Sequence, residues 1–150
     1  MSLKQITVAT LLREKSDTIF CTSEDATVAQ AVEELNRHKV GSVIVKSGEK
    51  VVGVFTERDV LTRVISEARD PGTTIVREVM TGDFKWITIE TKIDAAMQRM
   101  TDDRVRHLPV FDGEHLCGVV SIGDVTRWLL KVNRMEAENL RKYIASEYPG

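Results

Sequence analysis

Thr56, Asp59, Ser121 and Asp124 mark the two places where side chains of complementary chemistry recur at one spacing. Gly53-Val54-Phe55-Thr56-Glu57-Arg58-Asp59 reappears sixty-five positions later as Gly118-Val119-Val120-Ser121-Ile122-Gly123-Asp124. Each copy reads as glycine, two apolar strand residues, a small hydroxyl, two variable positions and an aspartate followed by valine. That is a strand running into a helix. The hydroxyl is placed to accept from a free backbone N–H of the helix start, and the carboxylate lies in the first turn, where a negative charge suits the helix dipole. A single Ser/Thr-x-x-Asp box is commonly a plain helix cap. Its duplication, with its surroundings, makes it the feature to explain.

Other chemistries find little support. No nucleophile stands beside a base, no carboxylate pair shares a face, and no P-loop or G-x-G-x-x-G run is present, so no catalytic residue is expected. His38, His107 and His115 fall on a helix end, a strand start and a turn, without zinc spacing, and no metal is expected. Cys21 and Cys117 read as strand residues, reduced in a cytoplasmic protein without a signal-peptide pattern. Lys and Arg total 21 against 23 Asp and Glu, a formal charge of −2, which leaves no basic field to recruit nucleic acid. No apolar run is long enough to span a bilayer, so no membrane partner is expected.

The elements that must carry the two turns come in the same order twice. Thr7–Arg13 reads as a short helix capped by Thr7, and Ile19–Thr22 as a short strand. Thr27 and Gln30 form a capping box for a helix over Thr27–Arg37, with Val28, Ala31, Val32 and Leu35 on one face. Val43–Val45, the turn Ser47–Lys50 and Val51–Phe55 read as a hairpin, and the closing helix runs through Leu61, Val64 and Ile65. After the linker Glu67–Thr74, Val76–Met80 answers Val8–Leu12, and Trp86–Ile89 answers the first strand. Ile93, Ala96, Met97 and Met100 repeat the helical face, and Leu108–Phe111 with Leu116–Val120 repeats the hairpin.

From Thr27 to Val64 the halves align without a gap, with identities such as Ala31/Ala96, Val45/Val110, Gly48/Gly113 and Asp59/Asp124. The organisation is a first repeat over 1–66 with its N-terminal lead, a linker at 67–75, a second repeat over 76–130, and a helical extension over 131–150. The fold class is α/β, of the α+β kind: two intertwined repeats, each a small sheet packed with helices, related by pseudo-two-fold symmetry and leaving two equivalent clefts edged by the turns. Along the last helix, Val125, Leu129, Val132 and Met135 form a stripe that shifts to Leu140, Tyr143 and Ile144. Its distal part is expected to meet a second subunit, since an isolated helical extension gains little without packing.

Two copies of this unit, each ending in glycine, two apolar residues, Thr or Ser, two variable positions and Asp, resemble a tandem pair of cystathionine-β-synthase (CBS) domains, a Bateman module. The resemblance covers nearly all of Val8 to Leu130, including Asp25-Ala26-Thr27-Val28 and Arg106-His107-Leu108-Pro109-Val110. It implies a stand-alone signal-transduction protein that binds an adenosyl compound such as AMP, ATP or NAD in its clefts, forms a homodimer and regulates an unidentified protein. Carried over residue by residue, it makes Asp59 and Asp124 ribose acceptors and Thr56 and Ser121 phosphate-side donors. The first strands, at Thr22 and at Ile87, Thr88 and Ile89, would supply the adenine slot.

The copies differ in charge: Gly41-Ser42 stands where the second has Arg106-His107, and Arg58 stands where the second has Gly123. Arg58, Arg106 and His107 are therefore candidates to serve phosphates, with clefts of unequal affinity. The competing reading is a dimer-forming scaffold with empty clefts.

Overall fold

The computed structural model describes residues 5–15 and 18–147, with side chains as far as residue 138. The chain forms two compact units, Thr18–Lys85 and, together, Met1–Asp17 with Trp86–Gly150. These units cut across the sequence repeats. The N-terminal segment joins the second repeat, and the segment after the linker joins the first.

In the unit Thr18–Lys85, β1 (Cys21–Ser23) pairs parallel with β2 (Ser42–Ser47), which pairs antiparallel with β3 (Lys50–Thr56). The hairpin turns through Gly48 at φ 62°, the left-handed conformation a two-residue loop needs at its first position. Helix α2 (Val28–His38) starts at the predicted capping box: the Thr27 hydroxyl accepts from the Gln30 N–H, and the Gln30 amide oxygen accepts from the Thr27 N–H. Its apolar face, Val28, Ala31 and Leu35, closes over Val43, Val45 and Phe55. Beyond Thr56, α3 (Glu57–Asp59) widens at once into a π-helix over Val60–Ile65. Of Leu61, Val64 and Ile65, the residues expected along the closing helix, Val64 is buried, and Leu61 and Ile65 are 63% and 61% exposed.

Short helix α4 (Val76–Val79) completes this core with Val76 and Val79. It is tied down by reciprocal bonds, Val28 N–H to Thr74 O at 2.9 Å and Val76 N–H to Ala26 O at 2.8 Å.

The other unit repeats the plan. Strands β4 (Ile87–Thr88), β5 (His107–Asp112) and β6 (His115–Ser121) form the sheet, and α5 (Ile93–Asp102) covers it. Here the covering short helix is α1 (Val8–Glu14), held by Val8 N–H to Thr91 O at 2.8 Å and Ile93 N–H to Ile6 O at 2.9 Å. Ile6, Val8 and Leu11 enter a core with Ile93, Ala96, Met100, Leu108, Val110, Val120 and Val125. Helix α6 runs from Ile122 to Glu147.

Several expectations need correction. Thr7 makes no side-chain cap; its backbone bridges Lys92 instead. The first strand of each repeat is shorter than expected: Ile19 and Phe20 lie before β1, and Trp86 and Ile89 flank the two residues of β4. On α6, Val125 is buried and Leu129 and Val132 are half-buried, but Met135 is exposed; Leu140, Tyr143 and Ile144 lie outside the described side chains.

Candidate functional site

Both Ser/Thr-x-x-Asp turns are complete capping boxes. The Thr56 hydroxyl accepts from the Asp59 N–H at 3.2 Å, and the Asp59 carboxylate accepts from the Thr56 N–H at 3.0 Å. Ser121 and Asp124 repeat this at 3.2 and 2.8 Å. Asp59 and Asp124 are only 4% and 7% exposed, so each carboxylate needs further partners to offset its lost hydration.

The further partners differ. Asp59 accepts from the Thr81 hydroxyl at 3.1 Å and stands 3.7 Å from the Arg63 Nε; the Arg63 Nη1 also donates to Met80 O at 2.7 Å. Asp124 is held by the Lys15 ammonium at 2.8 Å and by the Arg127 guanidinium. Burial pushes the Asp124 carboxyl upward, but hydrogen bonds from Lys15 and Ser121 outweigh it and hold the group below the ordinary carboxylate range. Arg127 also lies 3.4 Å from where a Cβ on Gly123 would stand, so a cation stands beside Gly123, the position Arg58 occupies in the first repeat.

Lys15 and Thr81 do the same work with different chemistry. The Thr81 N–H donates to Val54 O at 2.9 Å while its hydroxyl donates to Asp59. At the matching strand position, the single Lys15 ammonium donates to Val119 O and to Asp124. A neutral amide and hydroxyl in one unit are thus replaced by one positive charge in the other.

Strand register decides which candidate residues meet. Ser42 pairs with Thr56, and the Glu57 N–H donates to Gly41 O at 3.0 Å, so Gly41-Ser42 adjoins the first turn with Thr56, Arg58 and Asp59. Likewise His107 pairs with Ser121 and the Ile122 N–H donates to Arg106 O at 2.9 Å, bringing Arg106 and His107 to the turn of Ser121 and Asp124.

The first-strand residues lie farther off. Thr22 is opposite Val45, roughly 10 Å along the strand from Ser42; Thr88 is opposite Phe111, roughly 13 Å from His107, with Ile87 one step nearer and Ile89 beyond. Thr88 is engaged with Thr91, whose hydroxyl accepts its N–H at 3.2 Å. The chain level with the first turn is the lead-in to β1, Ile19 and Phe20, whose carbonyl at Phe20 accepts from the Ile44 N–H.

Arg63 and Arg127 were legible as helical neighbours of an aspartate, four and three residues on. Thr81 and Lys15 carried no such signal, being 22 and 109 residues from their carboxylates.

A family model described as the CBS domain matches residues 12–66 and 76–131. The chain belongs to the CBS-domain family. It is 43% identical over 135 residues to the CBS domain-containing protein CBSX3, mitochondrial, of Arabidopsis thaliana; the match spans 87% of this chain and 65% of that protein's length. A solved CBS-domain protein from Burkholderia ambifaria superposes with a TM-score of 0.81 at 33% identity, covering 83% of this chain and 94% of that one. One from Agrobacterium tumefaciens gives 0.75 at 33% identity, covering 81% and 96%. CBS-domain pairs are generally regulatory, non-catalytic modules that often bind adenosyl ligands.

Among the described residues, no group of three or more His, Cys, Asp or Glu is placed to hold a metal ion, and no helix is long and apolar enough to cross a membrane. Cys21 and Cys117 are unpaired, and burial raises the Cys21 thiol against the smaller opposing effect of Lys46, which keeps it a thiol rather than a thiolate.

Proposed function

We propose that this CBS-domain chain is a regulatory module that binds an adenosyl nucleotide, AMP, ATP or NAD, at the turns Thr56–Asp59 and Ser121–Asp124. The observation that carries the reading is the same buried, hydrogen-bonded carboxylate at the same sheet edge of both units. Asp59 and Asp124 would accept from ribose hydroxyls, using lone pairs that the capping bonds leave over. Thr56 and Ser121, with Arg58, Arg106 and His107, would serve the phosphates. Thr22, Ile87, Thr88 and Ile89 are kept as adenine-side candidates for the segments they belong to, with the Ile19-Phe20 lead-in the nearer neighbour of the first turn.

A ribose drawing on Asp59 or Asp124 competes with Thr81 and Arg63, or with Lys15 and Arg127. Occupancy therefore loosens the tie to the short helix of that unit, and the equilibrium moves only as far as the ligand favours one arrangement. The regulated protein is unidentified; the chain acts without catalysis of its own, in a reducing, cytoplasmic setting. The distal part of α6 serves homodimer formation, and Leu130, 54% exposed, and Met135, 54% exposed, are apolar residues available on that helix.

The test is a thermal-shift panel of AMP, ADP, ATP, NAD(H) and S-adenosylmethionine. A ligand at a hundred times its dissociation constant stabilises the native state by about 2.7 kcal/mol. The shift is expected with at least one compound and is expected to vanish in the double variant Asp59→Asn, Asp124→Asn. No shift with any compound would leave the two carboxylates as helix caps in a dimerising scaffold.

A further inference from the structure

The two turns are built alike but charged differently: Glu57 of the first is Ile122 in the second, and the segment after each short helix brings a different residue, Thr81 or Lys15. At the first turn, Arg58 and Arg63 accompany the acids Glu57 and Asp59; at the second, Lys15, Arg106 and Arg127 accompany Asp124 alone. Lys15 is the decisive member. It replaces the neutral donors of Thr81 on both acceptors, the strand carbonyl and the carboxylate, and places a charged side chain, 32% exposed as a whole, beside the Ser121 cap. Arg127 is largely exposed and reaches Asp124 from the same helix; Lys15 is held by two acceptors on two different elements.

We propose that Lys15 is a specificity-determining residue: it makes the Ser121–Asp124 turn the site for the more highly charged ligand, a nucleoside triphosphate, and leaves the Thr56–Asp59 turn to a nucleoside or its monophosphate. This rests on the adenosyl-binding reading above. An ammonium fixed beside a capped helix start adds a charge-assisted hydrogen bond for a polyphosphate that the Thr81 hydroxyl and amide do not supply. The bond to Asp124 also keeps that carboxylate ionised, so the ribose acceptor and the phosphate donor sit side by side.

The experiment uses the whole chain and calorimetric titration with ATP and AMP. Asp59→Asn isolates the second turn, and Asp124→Asn isolates the first. The ATP-over-AMP affinity ratio is expected to be higher in Asp59→Asn than in Asp124→Asn. Adding Lys15→Gln, which keeps a donor and removes the charge, should lower the ratio of the second turn about tenfold, while Lys15→Arg should preserve it. A purely structural Lys15 would change melting temperature and leave the ratio alone.

Binding of both nucleotides with a ratio indifferent to Lys15→Gln overturns the assignment of Lys15 and leaves the adenosyl reading standing. Failure of the wild-type chain to bind ATP and AMP overturns the assignment of Lys15, and failure with NAD(H), ADP and S-adenosylmethionine as well overturns the adenosyl reading with it. Should Lys15→Gln melt too early to titrate, equal ratios in the Asp59→Asn and Asp124→Asn proteins overturn the proposal on their own.

Discussion

Asp124 is the side chain at which stability and candidate function meet. Its folded carboxyl lies below the ordinary value of about 3.9, so its ion pairing stabilises the fold fully above that value and the contribution disappears as pH falls through the folded value. Asp124→Asn removes this term. The variant is expected to lose about 2 kcal/mol at neutral pH, since Lys15 and the Ser121 N–H are left without their anion, and to show a flatter acid limb than the parent. Urea midpoints measured from neutrality down to about pH 3 check both parts. An unchanged acid limb would mean that Asp124 is not ion-paired in solution.

At the scale of elements, the capping box over Thr27 and the glycine-led hairpins were readable because both depend on residues within a few positions of one another. Widening of the helix after Asp59 was not: no residue spacing within Val60–Ile65 announces it, and the partners its side chains meet, Met80 O for Arg63 and the core for Val64, are remote in sequence.

The glycines before the turns have a tertiary reason as well. A Cβ at Gly53 would lie 2.6 Å from the Met80 Sδ and 2.9 Å from Thr81 O, whereas at Gly118 its nearest neighbour would be the Leu12 side chain at 3.0 Å. Gly53→Ala must displace backbone, and a destabilisation of about 2–3 kcal/mol is expected; Gly118→Ala should cost about 1 kcal/mol or less, because Leu12 is a movable side chain. Paired denaturation curves for the two variants test the order, and a larger cost at Gly118 would contradict the close approach at Gly53.

For the molecule as a whole, the chain passes through one unit, builds the other and returns. Deleting residues 1–15 removes Ile6, Val8 and Leu11 from the core of the unit Trp86–Gly150 and takes Lys15 from Asp124, while every buried contact of α4 with the unit Thr18–Lys85 remains. Hydrogen exchange on the truncated chain is expected to show collapsed protection in β5, β6 and α5 with protection in β2, β3 and α2 retained. Loss of protection at α2 instead would contradict this division of the chain.

Sequence alone determined the duplication, the order of helices and strands within each copy, the two capped turns and hence the family, because each is written in local spacing and in a repeat that aligns without gaps over its central part. What it left open is the partner of each short helix. Val8, Leu11 and Leu12 present the same apolar pattern as Val76, Val79 and Met80, so either helix suits either sheet, and a pattern of hydrophobic spacing carries no address. Only the folded chain puts α1 on the second sheet and α4 on the first. With that exchange, Lys15 meets a carboxylate 109 residues away, and two turns alike in sequence become unlike in charge.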